Sequence, residues 1–133
     1  MNRLLASLAA LLALATLAGP APAAELLMFE QPGCVWCQRW HERIGAAYPK
    51  TEEGQRAPLR VLQRHGRLPT PYKLKAPVIM TPTFVLVDNR GREVDRITGY
   101  VPEEFFWSLL AEMLARLPTG ADAARVRQIS HRR

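Results

Sequence analysis

The sequence predicts a mixed α/β sheet with helices on both faces, and three observations carry that prediction. A short apolar run, Leu26-Leu27-Met28-Phe29-Glu30, stops at Pro32-Gly33 and is followed by apolar residues at helical spacing. A β-branched and aromatic run, Thr83-Phe84-Val85-Leu86-Val87-Asp88, leads into the turn Asn89-Arg90-Gly91 and a second extended arm. A broad apolar stripe then closes the pattern as a final helix. Alternation of strand and helix followed by a hairpin requires parallel and antiparallel pairing in one sheet.

Each element follows from its residues. Residues 26–30 have the length and flanks of a buried strand. The next helix spans about residues 34–48, because Trp36, Trp40 and Ile44 recur every fourth position with Cys37 and Tyr48 beside them. Arg39, Glu42 and Arg43 fall on its watery side, and Pro49 stops it, since the residue before a proline avoids helical backbone. Thr51 with Glu52 and Glu53 after it marks a short helical turn. Residues 59–63 alternate weakly and form the second strand, parallel to the first across the helix. Residues 66–76 hold Pro69, Pro71, Lys73 and Lys75 and read as irregular chain. Residues 93–98 are the return arm of the hairpin, closed by Gly99. Pro102 opens the last helix, Glu103 and Glu104 suit its positive end, and Phe105, Phe106, Leu109, Leu110, Met113, Leu114 and Leu117 form its stripe. Pro118-Thr119-Gly120 ends it. There is no internal repeat.

The 133 residues divide into three parts. Arg3, the uncharged Leu/Ala run over residues 4–18, the Gly19-Pro20 break and Ala21-Pro22-Ala23 compose a cleavable export signal, residues 1–23. The apolar run of about 15 residues is shorter than the roughly 20 of a spanning helix, so stable membrane insertion after cleavage is not expected. Residues 24–118 suffice for one compact domain. Residues 119–133 form a basic tail carrying Arg125, Arg127, Arg132 and Arg133, which accounts for much of the net charge of +6. No aromatic residues interleave with these arginines, so nucleic-acid binding is not indicated, and a solvated end or long-range attraction to an acidic partner remain the two readings. Export places the chain where disulfides persist, here the periplasm.

The chemistry lies in the two cysteines, Cys34 and Cys37, in Gln31-Pro32-Gly33-Cys34-Val35-Trp36-Cys37. A disulfide across so short a loop removes little unfolded-state entropy, so the pair suits electron exchange better than stapling. At a helix start, a Cys34 thiolate gains from unpaired backbone N–H groups. Two other readings compete. One is an inert buried pair. The other is a metal site with His41, one helical turn beyond Cys37, but that supplies three ligands where structural zinc takes four; no metal and no cofactor is expected. Trp40 is a core residue and Trp107 a partly buried one, whereas Trp36, between the cysteines, is open to either packing or partner contact.

The strand–Pro32-Gly33-Cys34-Val35-Trp36-Cys37–helix junction, Thr81-Pro82 before a strand, and the final hairpin and helix resemble the thioredoxin superfamily over most of residues 26–117. The wording of residues 28–37 together with Tyr48-Pro49-Lys50-Thr51 is similar to a narrower group, the periplasmic SoxS-type thioredoxin-like proteins of bacterial sulfur oxidation. The resemblance implies a thioredoxin-like fold in a short N-terminal version, lacking the first strand and helix of full thioredoxins. It implies Cys34 as nucleophile, Cys37 as resolving thiol, Pro82 as a cis proline facing them, and Thr81 as a substrate-binding backbone; Trp36, between the cysteines, is the further candidate for substrate contact. It further implies a reductant of protein disulfides or persulfides, whose partner is the sulfur-carrier protein and whose electrons come from a membrane thiol transporter. A redox-sensing regulatory module, an oxidase, and a reductant for cytochrome c apoproteins are the alternatives. One departure stands out. Thioredoxins proper carry a buried acid six residues before the first cysteine, and here that position is Met28. Glu30 is near but in a different register, and proton handling is left to water or to Glu30.

Overall fold

A computed structural model describes residues 24–119 and residue 128. The expected export signal and all but the first residue of the basic tail lie outside the described stretch, apart from that single position. Four strands form one sheet in the order β2-β1-β3-β4: β1 is Ala24–Glu30, β2 Leu59–Gln63, β3 Thr83–Asp88 and β4 Glu93–Thr98. β1 pairs in parallel with β2 (Leu26 with Leu59, Glu30 with Gln63) and antiparallel with β3 (Leu26 with Leu86, Phe29 with Thr83). β3 and β4 form the antiparallel hairpin, with an irregularity between Leu86 and Val87. The two central strands are apolar on both faces, while the edge strand β2 is half-buried at Leu59 and Leu62 and exposed at Arg60, Val61 and Gln63.

The hairpin turn is fixed by Asp88. Its carboxylate accepts the backbone N–H groups of Arg90 (2.9 Å) and Arg92 (3.0 Å) and the Nε–H of Arg92 (2.9 Å). Burial pushes the carboxyl upward, but these hydrogen bonds and the Arg92 charge outweigh it and hold Asp88 below the usual range.

The predicted long helix is divided. α1 is Val35–Trp40, followed by a π-turn over His41–Gly45 and a 3₁₀ turn over Tyr48–Lys50. The reason lies in the spacing of Trp40, Ile44 and Tyr48, all fully buried. Four residues overshoot an α-helical turn by about 40° per step. Widening the turn to i→i+5 bonding rotates the later residues back toward the core. Pro49 therefore does not sit after a helix but inside the 3₁₀ turn, where its missing N–H costs nothing. Thr51 then caps α2, Glu52–Arg56, as expected, accepting the Gly54 N–H at 3.0 Å. α3 is Glu103–Ala115. Phe106, Leu110, Met113 and Leu114 are buried, but Phe105, read as part of the stripe, is 58% exposed. It lies at the helix start and one position off the buried row.

Helical cover lies on one face. Leu26, Met28, Phe84 and Leu86 pack there with Trp40, Ile44 and Tyr48, and with the buried side of α3. Trp40 is the centre, with ring contacts to Tyr48, Phe84 and Phe106 at 5.0–6.0 Å. On the other face, where a helix was also expected, irregular chain closes the sheet. Leu27, Phe29, Val85 and Val87 pack against Tyr72, with Leu68, Leu74 and Val78 around them. Pro69, Pro71 and Pro77 keep this segment from coiling. Side chains tether it instead: Arg64 Nε–H donates to Val78 O (3.1 Å), and Arg96 Nη2–H donates to Ala76 O (2.9 Å).

Candidate active site

The end of β1 delivers the chain to a tight turn. Cys34 N–H donates to Gln31 O at 3.2 Å, with Pro32 second and Gly33 third at φ 76°. This is the residue pattern of a type II turn, whose third position takes the left-handed region that glycine enters freely. The turn leaves Cys34 in the N-cap position of α1.

Cys34 and Cys37 are joined as a disulfide, S–S 1.98 Å and Cα–Cα 5.3 Å. The two sulfurs differ in access. Cys34 is half-buried, whereas Cys37 is 3% exposed and packs into the core with Met28 and Trp40. Cys37 N–H donates to Cys34 Sγ at 3.1 Å, so a backbone dipole points at the accessible sulfur.

An open pocket beside the disulfide is lined by both cysteines, Gly33, Gln38, Glu30, His41 and other residues. Glu30 Oε2 and His41 Nε2 lie 2.9 Å apart. His41, weighed from the sequence as a third metal ligand, is half-buried and tied to the strand. The pair was not legible as a pair, because its members are eleven positions apart; strand alternation was the usable signal, since Met28 and Glu30 share the face that α1 covers. Among the described residues no group of three or more His, Cys, Asp and Glu is arranged to hold a metal ion.

Trp36 is 50% exposed and stacks on Tyr100, ring centroids 5.0 Å apart, with the Arg39 guanidinium 5.0 Å over its ring. Tyr100 follows Gly99, whose N–H donates to Pro82 O at 2.8 Å. The Thr81–Pro82 peptide is cis, as is Thr70–Pro71. Thr81 and Pro82 are not among the residues lining the acidic pocket; they stand at the start of β3, next to the end of β1. Val35, at the start of α1, and Ile79 and Met80, just before Thr81, are exposed apolar residues.

A redox-active cysteine pair at a strand-to-helix junction on this sheet defines a thiol–disulfide oxidoreductase. The sequence matches the thioredoxin-like domain family over residues 13–114, and the chain belongs to that family. It is similar to the periplasmic thioredoxin SoxS from Paracoccus pantotrophus, crystallised in its reduced form, with 45% identity over 71% of this chain and 99% of that one, TM-score 0.69. A thioredoxin-fold protein from Helicobacter pylori shares the fold at 20% identity, covering 70% of each chain, TM-score 0.53. Among curated protein sequences none matches the chain.

Proposed function

We propose that this chain is an exported, periplasmic reductant that opens a disulfide or persulfide on a partner protein, the sulfur carrier of a sulfur-oxidation system. The observation that carries the reading is the unequal access of the two sulfurs within a chain 45% identical to a periplasmic SoxS. Only Cys34 can be reached by a partner. Its thiolate attacks the partner sulfur and forms a mixed disulfide. Cys37, held beneath it, then attacks Cys34, and the partner leaves as a thiolate. The electron pair of each new S–S bond comes from the attacking thiolate, and the dithiol becomes the Cys34–Cys37 disulfide. A membrane thiol transporter restores the dithiol.

Thr81 and Pro82 supply the backbone that positions the partner chain, and Trp36 with Tyr100 forms its apolar rest. Single exposed apolar side chains need no explanation, but Val35 and Trp36 between the two cysteines, with Ile79 and Met80 leading into Thr81-Pro82, fit a docking rim.

The test is a trap. Cys34→Ser in residues 24–133 abolishes reduction of a protein disulfide recharged by dithiol. Cys37→Ser holds partners as mixed disulfides in a periplasmic extract. Recovery of the sulfur carrier supports the assignment. Recovery of mainly cytochrome c apoproteins replaces it with a role in cytochrome assembly. A fully active Cys34→Ser protein removes the nucleophile assignment.

A further inference from the structure

The resolving step poses a chemical problem that the buried cysteine cannot solve alone. Cys37 is 3% exposed and enclosed by Met28, Trp40 and other core groups, so the thiol must lose its proton in an apolar setting. Burial in such surroundings disfavours the thiolate, which is the reactive form. An acceptor on the one open side would remove the difficulty. That side is the pocket lined by Cys34 and Cys37, and its titratable residues besides the cysteines are Glu30, His41 and Glu42.

Two of these three are organised. Glu30 is the last residue of β1 and occupies the face that Leu26 and Met28 present to the helical layer. His41 lies one turn beyond Cys37, and its backbone N–H donates to Cys37 O. Glu30 Oε2 holds His41 Nε2 at 2.9 Å, and Glu30 Oε1 is 3.5 Å from Gln63 Nε2. The His41 ring also meets the Trp40 ring edge-on, centroids 5.5 Å apart. Each partner thus fixes the other, and both line the pocket that Cys34 and Cys37 also line. Glu42 also lines the pocket but is exposed, with no hydrogen bond to the pair. The remaining charges nearby are engaged elsewhere or exposed. Arg64 spans Gln31, His65 and Val78, Arg39 lies over Trp36, and Arg43 is exposed.

We infer that Glu30 and His41 act as one proton-accepting unit for Cys37 in the resolving step. The inference rests on the roles of Cys34 and Cys37 given above. Within the mixed disulfide, the Cys37 S–H proton passes across the pocket to the Glu30–His41 unit. The sulfur electron pair forms the bond to Cys34 Sγ, the bond from Cys34 to the partner breaks, and the partner sulfur departs with that electron pair. The unit then returns its proton to solvent or to the departing thiolate. No external oxidant or reductant enters this step.

Ellman's reagent separates the two half-reactions in stopped flow, because reduced protein releases two coloured thiolates in sequence. The first release reports attack by Cys34 and the second resolution by Cys37. Glu30→Gln, His41→Ala and the double variant retain the first phase. Their second phase slows about tenfold at neutral pH, where even an exposed thiol, of pKa near 8.5, is only a few per cent ionised and a buried one without an acceptor less so. In the native protein the second phase levels off at neutral pH, whereas in the variants it climbs with pH until the thiol itself titrates. The double variant is no slower than either single one, as expected of a unit. A second-phase pH profile unchanged in both single variants overturns the inference. Cys37→Ser run alongside keeps the two readings apart: if it still shows a second release, the cysteine roles themselves are wrong.

Discussion

Glu93 is the most confined carboxylate in the described chain, with its side chain 3% exposed. Arg96 donates to it twice, Nε–H to Oε1 at 2.6 Å and Nη2–H to Oε2 at 2.7 Å, and the Lys75 backbone N–H donates at 2.6 Å. Burial pushes the carboxyl up, yet these hydrogen bonds and the Arg96 charge hold it below its ordinary 4.5. A carboxyl depressed by folding contributes stability that is present above its unfolded pKa and is lost as pH falls through the folded value. Glu93→Gln should therefore destabilise the protein at neutral pH, and its deficit should shrink below about pH 4.5. We expect about 2 kcal/mol, under the ~3–5 of a fully buried broken pair, because Arg96 keeps the Ala76 and Pro77 carbonyls as acceptors. Urea titrations of both proteins across the acid range check this, and a deficit independent of pH would refute it. Such residue-level partnerships are what the sequence hides. Cys34 and Cys37 were legible because their spacing is itself the signal. Glu30 with His41, and Trp36 with Tyr100, meet only after the sheet and loops are in place.

Elements were legible where chain and burial share one period. The strand bounds of β2, β3 and β4 follow directly from their apolar runs and turn residues. The first helix was not, because its apolar residues repeat every fourth position and an α-helix repeats every 3.6. The conflict resolves as a π-turn and a 3₁₀ turn, and the second of these brings Tyr48 back over α2. There Gly54 has no room for a side chain: a Cβ would stand 1.8 Å from Tyr48 O, a backbone atom that cannot swing aside. Helix propensity alone favours Gly54→Ala by roughly 1 kcal/mol. Overpacking against fixed backbone opposes it by about 1–3 kcal/mol. The clash should win, because Tyr48 is itself pinned by its hydroxyl donating to Ala57 O at 2.7 Å and by Thr51 Oγ1 donating to its carbonyl at 2.7 Å. Thermal melting of Gly54→Ala should show a midpoint lower by roughly 5–10 °C, and an unchanged or raised midpoint would show that the turn can open.

At the scale of the whole molecule, the redox state and the fold are linked. The sheet and its helical face were legible in the sequence. The second face was not, because a proline-rich segment held by Arg64, Arg96 and Tyr72 carries no period to read. What that scaffold does for the disulfide is set by a cycle: the folded chain's potential differs from that of its unfolded dithiol by the difference in stability between oxidised and reduced protein. Two effects favour the disulfide. Closing a four-residue loop removes little unfolded-state entropy beside the ~4.7 kcal/mol of a hundred-residue loop, but that little is still about 2 kcal/mol. The pocket beside the sulfurs is lined by Glu42 and the Glu30–His41 pair with no Lys or Arg, and carboxylate charge opposes a thiolate there. One effect opposes it, the Cys37 N–H aimed at Cys34 Sγ, but this contact already exists in the disulfide, so reduction gains only the difference. The oxidised protein should therefore be the more stable form by about 2 kcal/mol, which corresponds to a potential about 40 mV more reducing than that of the unfolded pair. Urea titration of the oxidised protein and of the reduced protein held under dithiol measures the difference directly. A reduced form more stable than the oxidised one would make the protein an oxidant and remove the reductive direction of its proposed function.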